Sequence, residues 1–93
     1  MKNKEDLKKY LSDCDKLGKL NKQAEDLSVK LDGLAKVIPD PGDEDKSGLT
    51  AKEIDSLCSI YNKTKASLLA VKLAANAVEK KVLLQEAEDL LSD

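Results

Sequence analysis

The sequence predicts an all-α protein, an antiparallel hairpin of two long helices that associates into a helical bundle. Three observations carry this expectation. Apolar residues recur at spacings of three and four over most of the chain, and one cluster of prolines and glycines interrupts the repeat. In addition, 37% of the residues are charged while the only aromatic side chains are Tyr10 and Tyr61. Long solvated helices have that composition, whereas a sandwich or barrel needs more aromatic residues. At 93 residues a single domain is expected, burying only about 60–65% of the surface its unfolded chain exposes.

The first helix is expected over residues 4–38. Leu7, Tyr10, Cys14, Leu17, Leu20, Ala24, Leu27, Leu31, Leu34 and Ile38 form one stripe at three- and four-residue steps. Cys14, Leu17 and Leu20 give two successive steps of three beside Gly18, a poor helix residue, so an overwound, bent or broken helix is expected there. Residues 39–49 form the hairpin loop, because two prolines and two glycines between Pro39 and Gly48 cannot continue a helix. The second helix is expected over residues 50–92. It opens on Thr50-Ala51-Lys52-Glu53, a capping box in which the Thr hydroxyl accepts from the Glu53 N–H and the Glu carboxylate accepts from the Thr50 N–H. Its stripe runs through Ile54, Leu57, Tyr61, Thr64, Leu68, Val71, Ala75, Val78 and Val82, and is expected to continue through Ala87, Leu90 and Leu91.

Charge placement favours antiparallel pairing. Residues 1–22 hold seven Lys against four acids, while residues 82–93 hold Glu86, Glu88, Asp89 and Asp93 without a Lys. Each block opposes the dipole of its own helix, and folding the hairpin sets the two side by side. Exposed pairs of this kind contribute only about 0–1 kcal/mol each.

The residue inventory excludes several function classes. All sixteen basic residues are Lys and there is no His, so the chain lacks both a bidentate guanidinium and a side chain that titrates near neutrality. No nucleophile is accompanied by an activating base, and carboxylates such as Asp13 and Asp15 sit two apart and point in different directions. An enzyme is not expected, nor is any cofactor. A net charge of −2 without a concentrated basic surface argues against nucleic-acid binding. The charged N-terminus lacks a signal-peptide core and no apolar run reaches membrane length, so a cytoplasmic protein with no membrane partner is expected. Cys14 and Cys58 have no Cys-x-x-Cys spacing and read as small hydrophobes on helix faces in a reducing compartment. Asn62-Lys63-Thr64 matches a glycosylation pattern by chance, inside a helix.

Two candidate ligand sites emerge. The run from Asp43 to Glu53 resembles an EF-hand calcium loop, with oxygen-bearing side chains at the first, third and fifth positions and Gly48 at the sixth. The twelfth position, where that family places a bidentate Glu, is Ile54, and Glu53 falls one residue early, so no metal site is expected. Lys63, Lys65, Lys72 and Lys80, with Tyr61 available to stack on a base, form the most basic stretch and a candidate face for a small anionic ligand such as a nucleotide or phosphate.

The helix–loop–helix layout with its Pro39-Asp40-Pro41 turn resembles secreted helical-hairpin subunits, including type III secretion needle proteins and the W-x-G family. That resemblance implies a secretion-system structural subunit. The chain has no Trp, and its end, Leu91-Ser92-Asp93, is polar where needle subunits are apolar.

The leading functional expectation is a self-associating, non-catalytic interaction module acting as an adaptor, inhibitor or assembly subunit. Ten of the thirteen residues from Ala66 to Val78 are apolar. Leu68, Val71, Ala75 and Val78 are enough to meet the first helix, leaving Leu69, Ala70, Leu73, Ala74 and Ala77 as the expected interface of a homodimer or larger oligomer. The intramolecular alternative is a break at Gly18 that lets the first turns fold over this surface as a third helix.

Overall fold

The structure, a computed structural model, describes residues 3–92. It is an all-α hairpin in which two long helices pack against each other, α1 over Lys4–Val37 and α2 over Ala51–Ser92. A three-residue 3-10 turn, Glu44–Lys46, lies in the connection, and no strand occurs among the described residues.

Both helix starts are capped. Asn3 Oδ1 accepts from the Asp6 N–H at 2.9 Å, a cap the apolar pattern did not reveal. At α2 the expected box is formed: Thr50 N–H donates to Glu53 Oε1 at 2.9 Å and Glu53 N–H donates to Thr50 Oγ1 at 3.1 Å. The Thr50 backbone N–H, and after it the Thr50 hydroxyl, hold the Glu53 carboxyl below its ordinary value of 4.5. A depressed carboxylate stabilises the fold above its unfolded pKa and loses that contribution as pH falls through the folded value. Thr50→Ala is expected to cost about 1 kcal/mol at neutral pH. Glu53→Gln should flatten the acid limb of stability below about pH 4.5, as read by thermal melts across that range; an unchanged acid limb would mean the box contributes nothing there.

The connection turns on two glycines with positive φ, Gly42 at 94° and Gly48 at 73°, a region side chains with a Cβ adopt only at a cost. Backbone groups in the loop are met locally. The Gly42 N–H donates to Glu44 Oε2 at 2.8 Å, Ser47 Oγ donates to the Glu44 carbonyl at 2.6 Å, and the Leu49 N–H donates to Ser47 Oγ at 3.1 Å.

The chain divides into two compact units, Met1–Ala24 with Ala70–Asp93, and Glu25–Leu69. In the first, Tyr10, Cys14, Leu17, Leu20 and Ala24 of α1 are half-buried, while Ala75, Val78 and Val82 of α2 are buried. In the second, Leu27, Leu31 and Leu34 of α1 and Ile54, Leu57 and Tyr61 of α2 are half-buried, and Thr64 and Leu68 are buried. From Tyr10 onward the three–four stripes are therefore the faces the helices turn inward, whereas Leu7, which the repeat also placed there, is 46% exposed; burial of Thr64 follows from its place on the stripe.

Two expectations are corrected. α1 runs through Gly18 without a break, so no third helix folds back. Gly18 is exposed, its φ is not positive, and nothing lies within 4 Å of where its Cβ would stand; its propensity cost of about 1 kcal/mol is too small to interrupt a helix held on both sides by packing. The inward stripe of α2 also does not end on Ala87, Leu90 and Leu91. Those three are exposed, Leu90 by 79% and Leu91 by 87%, while Gln85 and Asp89 are half-buried. From Val82, steps of three and four reach residues 85 and 89; helical geometry holds that register whatever the side chain.

Candidate functional site: the outward face of α2

In the unit containing Ala70–Asp93, α2 carries apolar side chains on two opposite sides. Each residue turns about 100° around the axis, so the buried Ala75, Val78 and Val82 point one way. Leu73, Ala77, Leu84, Ala87 and Leu91 point roughly the other way, and all are exposed. Leu73 is 71% and Leu84 63% exposed. Of the expected interface residues, Ala70, Leu73, Ala74 and Ala77 lie in this unit and all are exposed. Leu69 lies in the other unit, exposed beside the buried Leu68. Leu83, Leu84, Leu90 and Leu91 are further exposed leucines that the Ala66–Val78 window did not include; the doublets Leu83-Leu84 and Leu90-Leu91 were the available signal, since adjacent residues cannot share one face.

The total exposed surface is large for the mass. The chain exposes 7239 Å², whereas a folded monomer of its size exposes about 5,300 Å². No large side chain is fully buried among the described residues.

The electrostatics of the same unit centre on Tyr10. Its hydroxyl donates to Glu86 Oε1 at 2.9 Å, a side-chain hydrogen bond between α1 and α2. The Glu86 carboxylate, with a smaller contribution from Cys14, pushes the Tyr10 phenol from 10.0 up to about 12. The neutral phenol is thus favoured in the fold, and the contribution is lost as pH rises through about 12. Among the described residues neither Glu86 nor Glu88 pairs with a lysine, and Lys19 pairs locally with Asp15 at 3.2 Å on the surface of α1. Long lysines at a solvated edge gain too little from pairing to hold one geometry.

The anionic-ligand candidates do not converge. Lys63 and Lys65 are two residues apart and leave α2 about 200° apart around the axis; they, Lys72 and Lys80 are all exposed, and Tyr61 is half-buried on the inward stripe. A cleft of about 180 Å³ beside Lys9, Tyr10, Lys81 and Glu88 contains none of them, and small-molecule sites occupy roughly 300–1,000 Å³. In the loop, Glu44 and Glu53 are turned to backbone N–H groups, and no cluster of three His, Cys, Asp or Glu among the described residues could hold a metal ion. Cys14 and Cys58 are free thiols, each half-buried. No described helix is long and apolar enough to cross a membrane.

No family model matches the chain, and neither a curated protein nor a solved structure shows significant similarity to it.

Proposed function

We propose that the chain is a non-catalytic protein-interaction module, a helical hairpin that self-associates through the outward face of α2 and serves as an adaptor, inhibitor or assembly subunit. The observation that carries this reading is the apolar stripe of Leu73, Ala77, Leu84 and Leu91 lying opposite the inward face. Exposed apolar side chains repeated on one helix face, here interrupted by Lys80, are a feature of interaction sites. Free, half-buried cysteines suit a reducing, cytoplasmic setting.

Sedimentation equilibrium at micromolar concentration tests the reading. The native chain is expected to be a dimer or larger, and Leu69→Glu and Leu73→Glu are each expected to raise the dissociation constant at least tenfold, because a carboxylate buried at the contact loses its hydration. A stable, folded native monomer would overturn the proposal.

A further inference from the structure

We infer that Lys80 is the residue that limits how tightly two copies of this chain associate, because it sets an unneutralised charge in the middle of the outward apolar seam of α2. This rests on the self-association reading of that face and adds the side chain that tunes it.

The seam follows from helix geometry. At about 100° per residue, Leu73, Ala77, Lys80, Leu84, Ala87 and Leu91 all fall within about 40° of one direction, and all six are exposed. Their steps are four, three, four, three and four residues, the heptad repeat of a helix that packs along another helix. The seam lies opposite the side where Ala75, Val78 and Val82 are buried. A surface with this repeat is met by a helix carrying the same repeat, and α2 of a second copy carries it. α1 offers no equal: its large exposed apolar side chains among the described residues are Leu7, Leu11, Val29 and Val37, scattered along its length.

Lys80 is the only polar side chain of the six, and its own helix does not neutralise it. The positions one turn away are Asn76, Ala77, Leu83 and Leu84, so no carboxylate stands at the three- or four-residue spacing from which a helix forms an ion pair. Glu79 and Lys81 adjoin it in sequence but leave the axis about 100° to either side. Glu88, the acid nearest the seam, stands two turns on and about 80° around the axis from Lys80. α1 packs on the opposite side of α2, and Lys80 takes part in no ion pair among the described residues.

A lone lysine in an otherwise apolar seam weakens the contact, because its ammonium loses water without gaining a counter-ion. The long stem lets the charge reach toward the edge of the contact past the small Ala77 and Ala87, which moderates the loss without removing it. Two copies bring two such lysines, whatever the relative direction of their helices. Lys80 therefore keeps the apolar contact reversible, and its charge is the control point of assembly.

Sedimentation equilibrium of the full-length chain carrying Lys80→Met tests this. Methionine keeps an unbranched stem and loses the charge, and because Lys80 is exposed the packing within the hairpin is untouched. The dissociation constant is expected to fall at least tenfold below that of the native chain. Lys16→Met removes the same charge from the exposed surface of α1 and is expected to leave the constant within about twofold. Adding Leu73→Glu to Lys80→Met should abolish the gain, which separates tightening of this seam from general stickiness. If Lys80→Met leaves the constant unchanged, the residue lies outside the contact; if it raises the constant, the assembly supplies Lys80 with a carboxylate. Either result overturns the role of Lys80 while self-association stands, as does a gain that survives Leu73→Glu or is matched by Lys16→Met. If the native chain and Lys80→Met are both monomeric, both readings fall. A native monomer that Lys80→Met converts to a dimer would uphold the role of Lys80 and overturn native self-association.

Discussion

Leu68→Ala is expected to destabilise the fold by about 2–3 kcal/mol, a large share of the stability of so small a domain. Leu68 is 8% exposed and sits on the inward stripe of α2, one of only four buried apolar side chains among the described residues. With so small a core, there are few neighbours to collapse into the space that truncation leaves, and the transfer loss adds to the cavity loss. The adjacent Leu69, 54% exposed, provides the internal control. Truncating it removes little from the folded chain itself, so Leu69→Ala should act mainly through association. Urea unfolding at several protein concentrations separates the two. The Leu68→Ala deficit should persist at every concentration, whereas the Leu69→Ala deficit should shrink as dilution dissociates the native oligomer. If Leu68→Ala changes stability by less than about 0.5 kcal/mol, the level of an ordinary surface substitution, the assignment of the inward face is wrong.

The double substitution Gly18→Ala with Gly33→Ala is expected to stabilise the chain by about 1–2 kcal/mol, as two independent gains of about 0.5–1 kcal/mol each. Both glycines lie inside α1, both are exposed, and open space surrounds the position of each missing Cβ. Neither has a positive φ, so alanine fits the existing backbone and its benefit comes from a less disordered unfolded chain and better helix propensity. Gly48→Ala, at a φ of 73°, provides the opposite sign, because there a Cβ meets its own backbone. Thermal or urea unfolding of the three variants checks the set. A loss of stability on Gly18→Ala would show that the glycine serves a close approach or a distortion of α1 after all.

Much of the fold was legible in the sequence because helical geometry is periodic and local. The repeat from Tyr10 to Leu34 on α1 and from Ile54 to Val82 on α2 predicts the inward side chains, and all of them are buried or half-buried. The capping box at Thr50 and Glu53 was readable for the same reason, since its four participating groups lie within four consecutive residues. The fold departs from the sequence pattern at Gly18 and beyond Val82. At Gly18 a weak intrinsic preference was set against the packing of a whole helix, and packing prevailed. Beyond Val82 the apolar character of Ala87, Leu90 and Leu91 points inward, but the helical register assigns the inward positions to Gln85 and Asp89.

The candidate site was legible in part. The composition of Ala66 to Val78 announces more apolar surface than one stripe can use, but which residues are surplus depends on which face α1 covers. Sequence alone determined that this protein is a helical hairpin, where its loop falls, how α2 starts, and that no imidazole or guanidinium is available to it. Only the tertiary structure decided that α1 is unbroken, that Tyr10 reaches Glu86 across 76 residues of chain, and that Leu84 and Leu91 stand outward with Leu73. The reason is physical: hydrogen-bonded periodicity and capping act over a few residues and are written in the local sequence, whereas exposure is set by which elements meet, a property of the folded whole.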